Sequence, residues 1–175
     1  MKYNKIKYLS IIMIFIICFI THYLYNLFPS FFTSLFFPVN ESVWEHMKML
    51  VSSIIIWDII LYFILKNNGY YFENFILSVL CTNICSIVIF LIIYYPLYMI
   101  FGDFFLLNII ILFVSIFLSV NIGFNILYKS NYNLESISIL IIITIYILFG
   151  LFTYYPPKSP IFIDPRNNSY GINFD

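Results

Sequence analysis

Residues 104–128 read FFLLNIIILFVSIFLSVNIGFNILY, a run of 25 residues without a charged side chain. A helix of about 20 apolar residues crosses the roughly 30 Å hydrocarbon core of a bilayer, so this run predicts a transmembrane helix. Four further apolar runs meet or approach that length: 7–28, 47–65, 75–95 and 137–153. A transmembrane barrel would show alternating segments of about ten residues, so we expect an all-α bundle of five transmembrane helices.

Composition and charge exclude several other classes of protein. The chain of 175 residues is 63% hydrophobic and 9% charged, against roughly 45–50% apolar and about 25% charged residues in ordinary soluble domains. Lys+Arg and Asp+Glu are both 8, so no basic field exists to attract nucleic acid. The three cysteines lie inside apolar runs, which indicates neither disulfides nor a zinc knuckle. The lipid bilayer is the partner that the composition predicts.

Lysine placement predicts the orientation in the membrane. Lys2, Lys5 and Lys7 precede the first run, and the positive-inside rule therefore places the N-terminus in the cytoplasm. The first run lacks an A-x-A-like cleavage site, so we interpret it as an uncleaved span in the plasma membrane. Residues 154–175 then form an extracytoplasmic tail. The tail is half apolar, so we expect it to fold back on the bundle and bring Asp164 towards Glu41.

Polar residues gather at the predicted outer face. Residues 38–48 read PVNESVWEHMK and open the second helix. His22 lies in the last turns of the first helix, Asp103 starts the fourth, and Asp164 lies in the tail. In so apolar a chain, this clustering is the most informative feature.

A purely structural interpretation explains part of this segment. Ser42 and Glu45 fit a capping box, in which the serine accepts from the backbone amide of the glutamate. Trp44 suits the interfacial aromatic belt, and Lys48 can pair with Glu45 or extend outward. His46, His22 and Asn40 stay unexplained.

A functional interpretation uses the same residues as a site. Glu41 and Glu45 are four residues apart and would share a helix face, and His22 and Asp164 could complete a set of ligands for a divalent metal. A metal-free site is the alternative, with Glu45 as general base and His46 or His22 as acid. The spacing is not H-E-x-x-H, so both interpretations stay open.

Asp58 is a separate candidate inside the second run. A carboxylate within a span is costly and is a candidate for proton or cation binding by default. A protonated Asp58 bonded to a neighbouring helix is the alternative.

The third run carries a packing signal. Ser78, Thr82 and Ser86 recur every four residues. Small side chains on one helix face allow a neighbouring helix to approach closely in lipid.

Three segments together carry a family resemblance. They are HYLY at 22–25, NESVWEH at 40–46 and YPPKSPIFIDP at 155–165. The chain resembles an uncharacterised family of small polytopic bacterial membrane proteins with an N-E-S-x-W-E-H motif. The resemblance implies a multi-span fold and no established activity or cofactor. The polar positions it implies are His22, Asn40, Glu41, Glu45, His46 and Asp164.

Three classes of function follow from these observations. The first is a binding or transport-associated component with a polar site for a cation or small solute at the outer face. Five spans without an inverted repeat are few for a complete transporter, so this class implies a homo-oligomer or a partner membrane subunit. The second class is a membrane-embedded hydrolase, metal-dependent or not, acting on lipid or lipid-linked substrates. The third is a structural or assembly protein.

Overall fold

The computed structural model of the protein describes residues 2–172, with side chains described from residue 4 onward. The described chain is helical and contains no strand. Its elements in order are α1 (Lys2–Leu27), α2 (Phe31–Phe36), α3 (Val43–Asn67), α4 (Phe75–Phe101), α5 (Phe105–Leu127), α6 (Glu135–Tyr154) and a 3₁₀ turn (Pro160–Phe162). All except α2 and the turn are long and apolar enough to cross a membrane. The predicted all-α bundle of five spans is confirmed.

Helix α3 begins at Val43 because Ser42 caps it. Ser42 has an extended backbone (φ −67°, ψ 155°), and its hydroxyl accepts from the Glu45 amide at 3.3 Å. The expected capping box is half formed, since the Glu45 carboxylate accepts from the amide of Val39 (3.1 Å). Glu41 therefore lies in the loop before α3 and does not share a helix face with Glu45.

Helix α4 continues past Tyr95 and through Pro96 to Phe101. It ends where Gly102 takes a positive φ of 69° and donates its amide to the Tyr98 carbonyl at 2.8 Å. That left-handed conformation favours glycine because it has no Cβ. The turn at Gly102 directs the chain into α5.

The closest helix contact joins α4 and α5. Ser78 donates to the carbonyl of Gly123 at 2.8 Å, and a Cβ added at Gly123 would lie 1.9 Å from the Thr82 hydroxyl oxygen. Glycine suits this position because a Cβ would displace the Thr82 hydroxyl and press on the Ser78 carbonyl oxygen, 3.2 Å away.

The remaining core joins α1 to α3, and the tail covers one end of the bundle. Thr21 and Ser53 share a 2.8 Å hydrogen bond between hydroxyls in a fully buried setting. We call the end that carries residues 40–46 the motif end. There the ring of Phe162 packs 4.9 Å from that of Trp44, and the Ile172 amide donates to the Thr153 carbonyl at 3.2 Å.

Candidate functional site

Two imidazoles and one carboxylate converge at the motif end. Glu41 Oε1 lies 3.5 Å from His22 Nε2, and Glu41 Oε2 lies 3.6 Å from His46 Nε2. One ligand atom from each of these three residues lies within 4.8 Å of the others. We call this set the His–Glu–His cluster. The last turns of α1, the α2–α3 loop and the first turn of α3 each contribute one residue.

The backbone of the helix cap orients His46. His46 Nδ1 lies 3.0 Å from the carbonyl oxygen of Ser42. A carbonyl can only accept, so the hydrogen is on Nδ1. Nε2 of a neutral His46 therefore presents a lone pair to the carboxylate of Glu41.

Positive and polar neighbours stabilise the charge of Glu41. The long contact from the His22 imidazole lowers the pKa of Glu41 below the usual 4.5, an effect that burial opposes and His46 and Arg166 reinforce. Arg166 Nη2 lies 3.1 Å from Glu41 Oε1, and the Arg166 side chain is 72% exposed. The carboxylate is thus held in its ionised form, with an exposed arginine on its tail side.

A cavity of about 350 Å³ adjoins the His–Glu–His cluster, which forms part of its wall. Its other polar groups include Arg166, Asp103 and Asn108, and the Asn108 amide donates to Asp103 Oδ1 at 2.7 Å. Its apolar lining comes from four helices and includes Cys18, Met49, Phe90, Ile109 and Leu112. Small-molecule sites have this size and this mixture of apolar wall and few polar groups.

Glu45 lies outside the His–Glu–His cluster, in a second and fully enclosed network. Its carboxylate pairs with Lys48, and both side chains are at most 1% exposed. Lys48 Nζ also donates to the Ser34 carbonyl (2.7 Å) and the Thr153 hydroxyl (2.8 Å), and that hydroxyl donates to Glu45 Oε1 (2.8 Å). Every hydrogen of the ammonium has an acceptor.

Asn40 and Asp164 organise loops. Asn40 Oδ1 accepts from the Ser42 amide (2.9 Å), and its Nδ2 donates to the Gly171 carbonyl (2.8 Å). Asp164 Oδ1 accepts from the backbone amide of Arg166 (2.9 Å), which fixes the turn that carries the arginine.

Asp58 lies on α3 away from the motif end. It lines a small cavity with Ser10, Ser78 and Thr82. No side-chain hydrogen bond joins Asp58 to any residue that the structure describes.

The structure therefore brings His22, Glu41 and His46 together in the His–Glu–His cluster, and Asp103, also singled out from the sequence, lines the adjoining cavity. Glu45, Asn40, Asp58 and Asp164 have other surroundings. The sequence does not indicate that Arg166 contacts Glu41 or that Thr153 contacts Lys48. Each pair is more than 100 residues apart in the chain, and no local pattern marks either contact.

Comparison with known proteins gives a family and no activity. The profile of a family of unknown function matches residues 1–172. Neither the curated proteins nor the solved structures contain a match. With its five apolar helices the protein is an integral, multi-pass membrane protein, and the matched profile assigns the chain to DUF6512, a family of unknown function.

Proposed function

We propose that the protein binds a divalent transition metal, such as Zn²⁺, through the His–Glu–His cluster. The orientation of His46 carries the proposal. Its Nε2 lone pair and the Glu41 carboxylate are two acceptors 3.6 Å apart, and a cation between them turns their repulsion into attraction.

The distances between the ligand atoms support a metal of this size. Zn–N and Zn–O bonds of about 2.0–2.1 Å in a tetrahedron separate neighbouring ligands by roughly 3.3 Å. The contacts of Glu41 Oε1 with His22 (3.5 Å) and of Glu41 Oε2 with His46 (3.6 Å) are close to that separation, and one ligand atom from each of the three residues lies within 4.8 Å of the others.

The supporting hydrogen bonds are also of the kind that metal ligands have. A metal-binding histidine donates its other ring N–H to a carbonyl or carboxylate, which fixes the tautomer. His46 does so to Ser42. Imidazole nitrogens favour Zn²⁺ over Mg²⁺ or Ca²⁺, which prefer oxygen ligands.

A bound proton is the competing explanation, because a protonated His46 would also satisfy Glu41. The two explanations differ in metal content. Protein purified in detergent, incubated with ZnCl₂ and desalted, should retain about one zinc per chain. Inductively coupled plasma mass spectrometry measures the zinc content. Glu41→Gln and His46→Ala should lose that zinc.

Glu73→Gln is the matched control for Glu41→Gln. Glu73 is exposed in the loop before α4, and its variant should keep the metal. Wild-type protein that melts cooperatively but holds no zinc would leave protonation as the explanation, and retained zinc in both cluster variants would place the metal elsewhere.

A membrane-embedded hydrolase is the second candidate. Three protein ligands leave one coordination position open, as in catalytic zinc sites, and the cavity adjoins them. A zinc ion held by these residues would lower the pKa of a bound water and activate it for the hydrolysis of an ester. Release of fatty acid or head group from phospholipid by the zinc-loaded protein, absent in His46→Ala, tests this candidate.

For localisation we propose the plasma membrane, with the motif end facing outward. Lysines at positions 2, 5 and 7 support this orientation by the positive-inside rule. A transport role would in addition require a second copy or a partner subunit.

A further inference from the structure

The cavity beside the His–Glu–His cluster is amphiphilic. Its lining includes the charged side chains of Glu41, Arg166 and Asp103 together with apolar side chains of α1, α3, α4 and α5. Phe19 and Phe105 line it and are themselves 42% and 77% exposed, so the cavity opens on the outer surface of the helices. Phe19 lies within the α1 span, where that surface faces lipid.

The charge of the cavity depends on the metal. Glu41 and Asp103 against Arg166 leave one net negative charge when the histidines are neutral. A divalent metal changes this to one net positive charge, and it adds an unfilled coordination position. The loaded cavity thus favours an anion that the empty one repels.

We propose that this cavity binds the head group of a phosphate-bearing membrane lipid, with a phosphate oxygen on the metal and the acyl chains leaving past Phe19 and Phe105. This inference rests on the proposed metal site. Arg166 contributes the second contact to the phosphate. Its exposed guanidinium lines the cavity, so it can leave the Glu41 carboxylate and pair with the phosphate instead.

Three ligands separate the contributions of phosphate and chain. Phosphatidylglycerol has both, diacylglycerol has the chains alone, and glycerol phosphate has the phosphate alone. With zinc-loaded protein in detergent, native mass spectrometry should show a phosphatidylglycerol complex. Removal of zinc with EDTA, or replacement by either of the other two ligands, removes one of the two kinds of contact and should weaken binding by about tenfold or more, which corresponds to about 1.4 kcal/mol.

Three variants locate the lipid. Ile109→Trp fills the cavity, whereas Ile110→Trp puts the same ring on the exposed face of α5. Ile109→Trp should reduce the phosphatidylglycerol complex by about tenfold or more and Ile110→Trp should not. Arg166→Gln, at an exposed position that does not threaten folding, should also weaken the complex.

Different results would overturn the lipid site and the metal site. One zinc per chain with no lipid complex, or a complex that EDTA leaves unchanged, would overturn the lipid assignment alone. Equal binding of diacylglycerol would show that the phosphate is not recognised, and equal binding of glycerol phosphate would show that the chains are not. Absence of zinc would overturn both proposals.

Discussion

Lys48 is a fully buried lysine in an apolar helix bundle, and its surroundings explain how it is tolerated. Burying an ammonium is costly unless it is paired and hydrogen-bonded. Glu45, the Ser34 carbonyl and the Thr153 hydroxyl accept its three hydrogens. The lysine thereby connects α3 to α2, through Ser34, and to the end of α6, through Thr153.

Removing the charge of Lys48 should therefore lower the stability of the protein. Lys48→Met leaves the Glu45 carboxylate buried without its counter-ion, and we expect a loss of about 3–5 kcal/mol in the free energy of unfolding. Denaturation in mixed detergent micelles measures it.

The double variant Lys48→Met with Glu45→Leu provides the control. It removes both charges, so most of the lost stability should return. A double variant as unstable as the single one would mean that the pair is not the stabilising unit.

Glu41 gives the protein a defined acid sensitivity. Its pKa is lowered below 4.5 in the folded protein by the His22 contact, with His46 and Arg166 adding to the effect. A lowered carboxyl pKa stabilises the fold fully above the unfolded value, and this stabilisation disappears as the pH falls through the folded value.

Thermal melting of wild type and Glu41→Gln should thus differ above about pH 4.5 and converge below it. The melts are recorded without added metal, so that only the protein's own charges act. A difference that is constant down to pH 3 would show that Glu41 does not titrate as its neighbours predict.

The candidate site was predictable in part. Both histidines and Glu41 stood out because histidines and charged residues are rare in this chain. The sequence also predicted Glu45 beside Glu41 on one helix face, and the helix begins at Val43, after Glu41. The capping-box interpretation placed Ser42 correctly at the cap, and this cap leaves Glu41 in the loop, where its carboxylate points to the histidines.

At the scale of elements, α4 and α5 illustrate how helices associate without a hydrophobic driving force. Ser78 and Thr82 form the small face expected from their four-residue spacing, and Gly123 is opposite. The partner glycine was not predictable from α4 alone, because spacing within one helix does not say which neighbour it meets.

Gly123→Ala should destabilise the α4–α5 pair. The new methyl would overlap the Thr82 hydroxyl, and its 3.2 Å approach to the Ser78 carbonyl leaves little space for adjustment. We expect a loss of about 1–3 kcal/mol in the free energy of unfolding, the usual range for overpacking. Denaturation in mixed micelles measures this loss.

Asn125→Ala, on the exposed side of the same helix, is the matched control and should cost much less. Combining Gly123→Ala with Thr82→Ala removes the nearest clashing atom and should recover part of the loss. Equal stability of Gly123→Ala and wild type would mean that the helices are farther apart than described.

At the scale of the molecule, the apolar runs were sufficient to predict five helical spans, because a lipid-exposed backbone has few alternatives to the helix. The path of residues 155–172 could not be derived in the same way. It depends on single contacts, such as that of Asn40 with the Gly171 carbonyl, which joins residues 131 positions apart.

The orientation of the bundle is testable in whole cells. In a protein whose three native cysteines are replaced by serine, Asn167→Cys in the tail should react with a membrane-impermeant maleimide. Asn131→Cys in the α5–α6 loop should react only after the membrane is opened. Asn131 and Asn167 are both exposed, so the reagent can reach a cysteine at either position once it is on the same side of the membrane.

The reverse labelling pattern would place the motif end in the cytoplasm. The helix bundle would be unaffected by that result. The proposed site would then take its metal from the cytoplasm.

The hydroxyl of Thr153 reaches back to Lys48 across 105 residues, and to Glu45 across 108. During translation, α3 therefore enters the membrane long before the group that completes its ion pair has been made. A nascent chain halted before α6 carries a charged pair with open hydrogen-bonding positions inside the bilayer. Synthesis of the last helix supplies the hydroxyl that fills these positions, so the ion pair reaches its final hydrogen bonding only when α6 has been added.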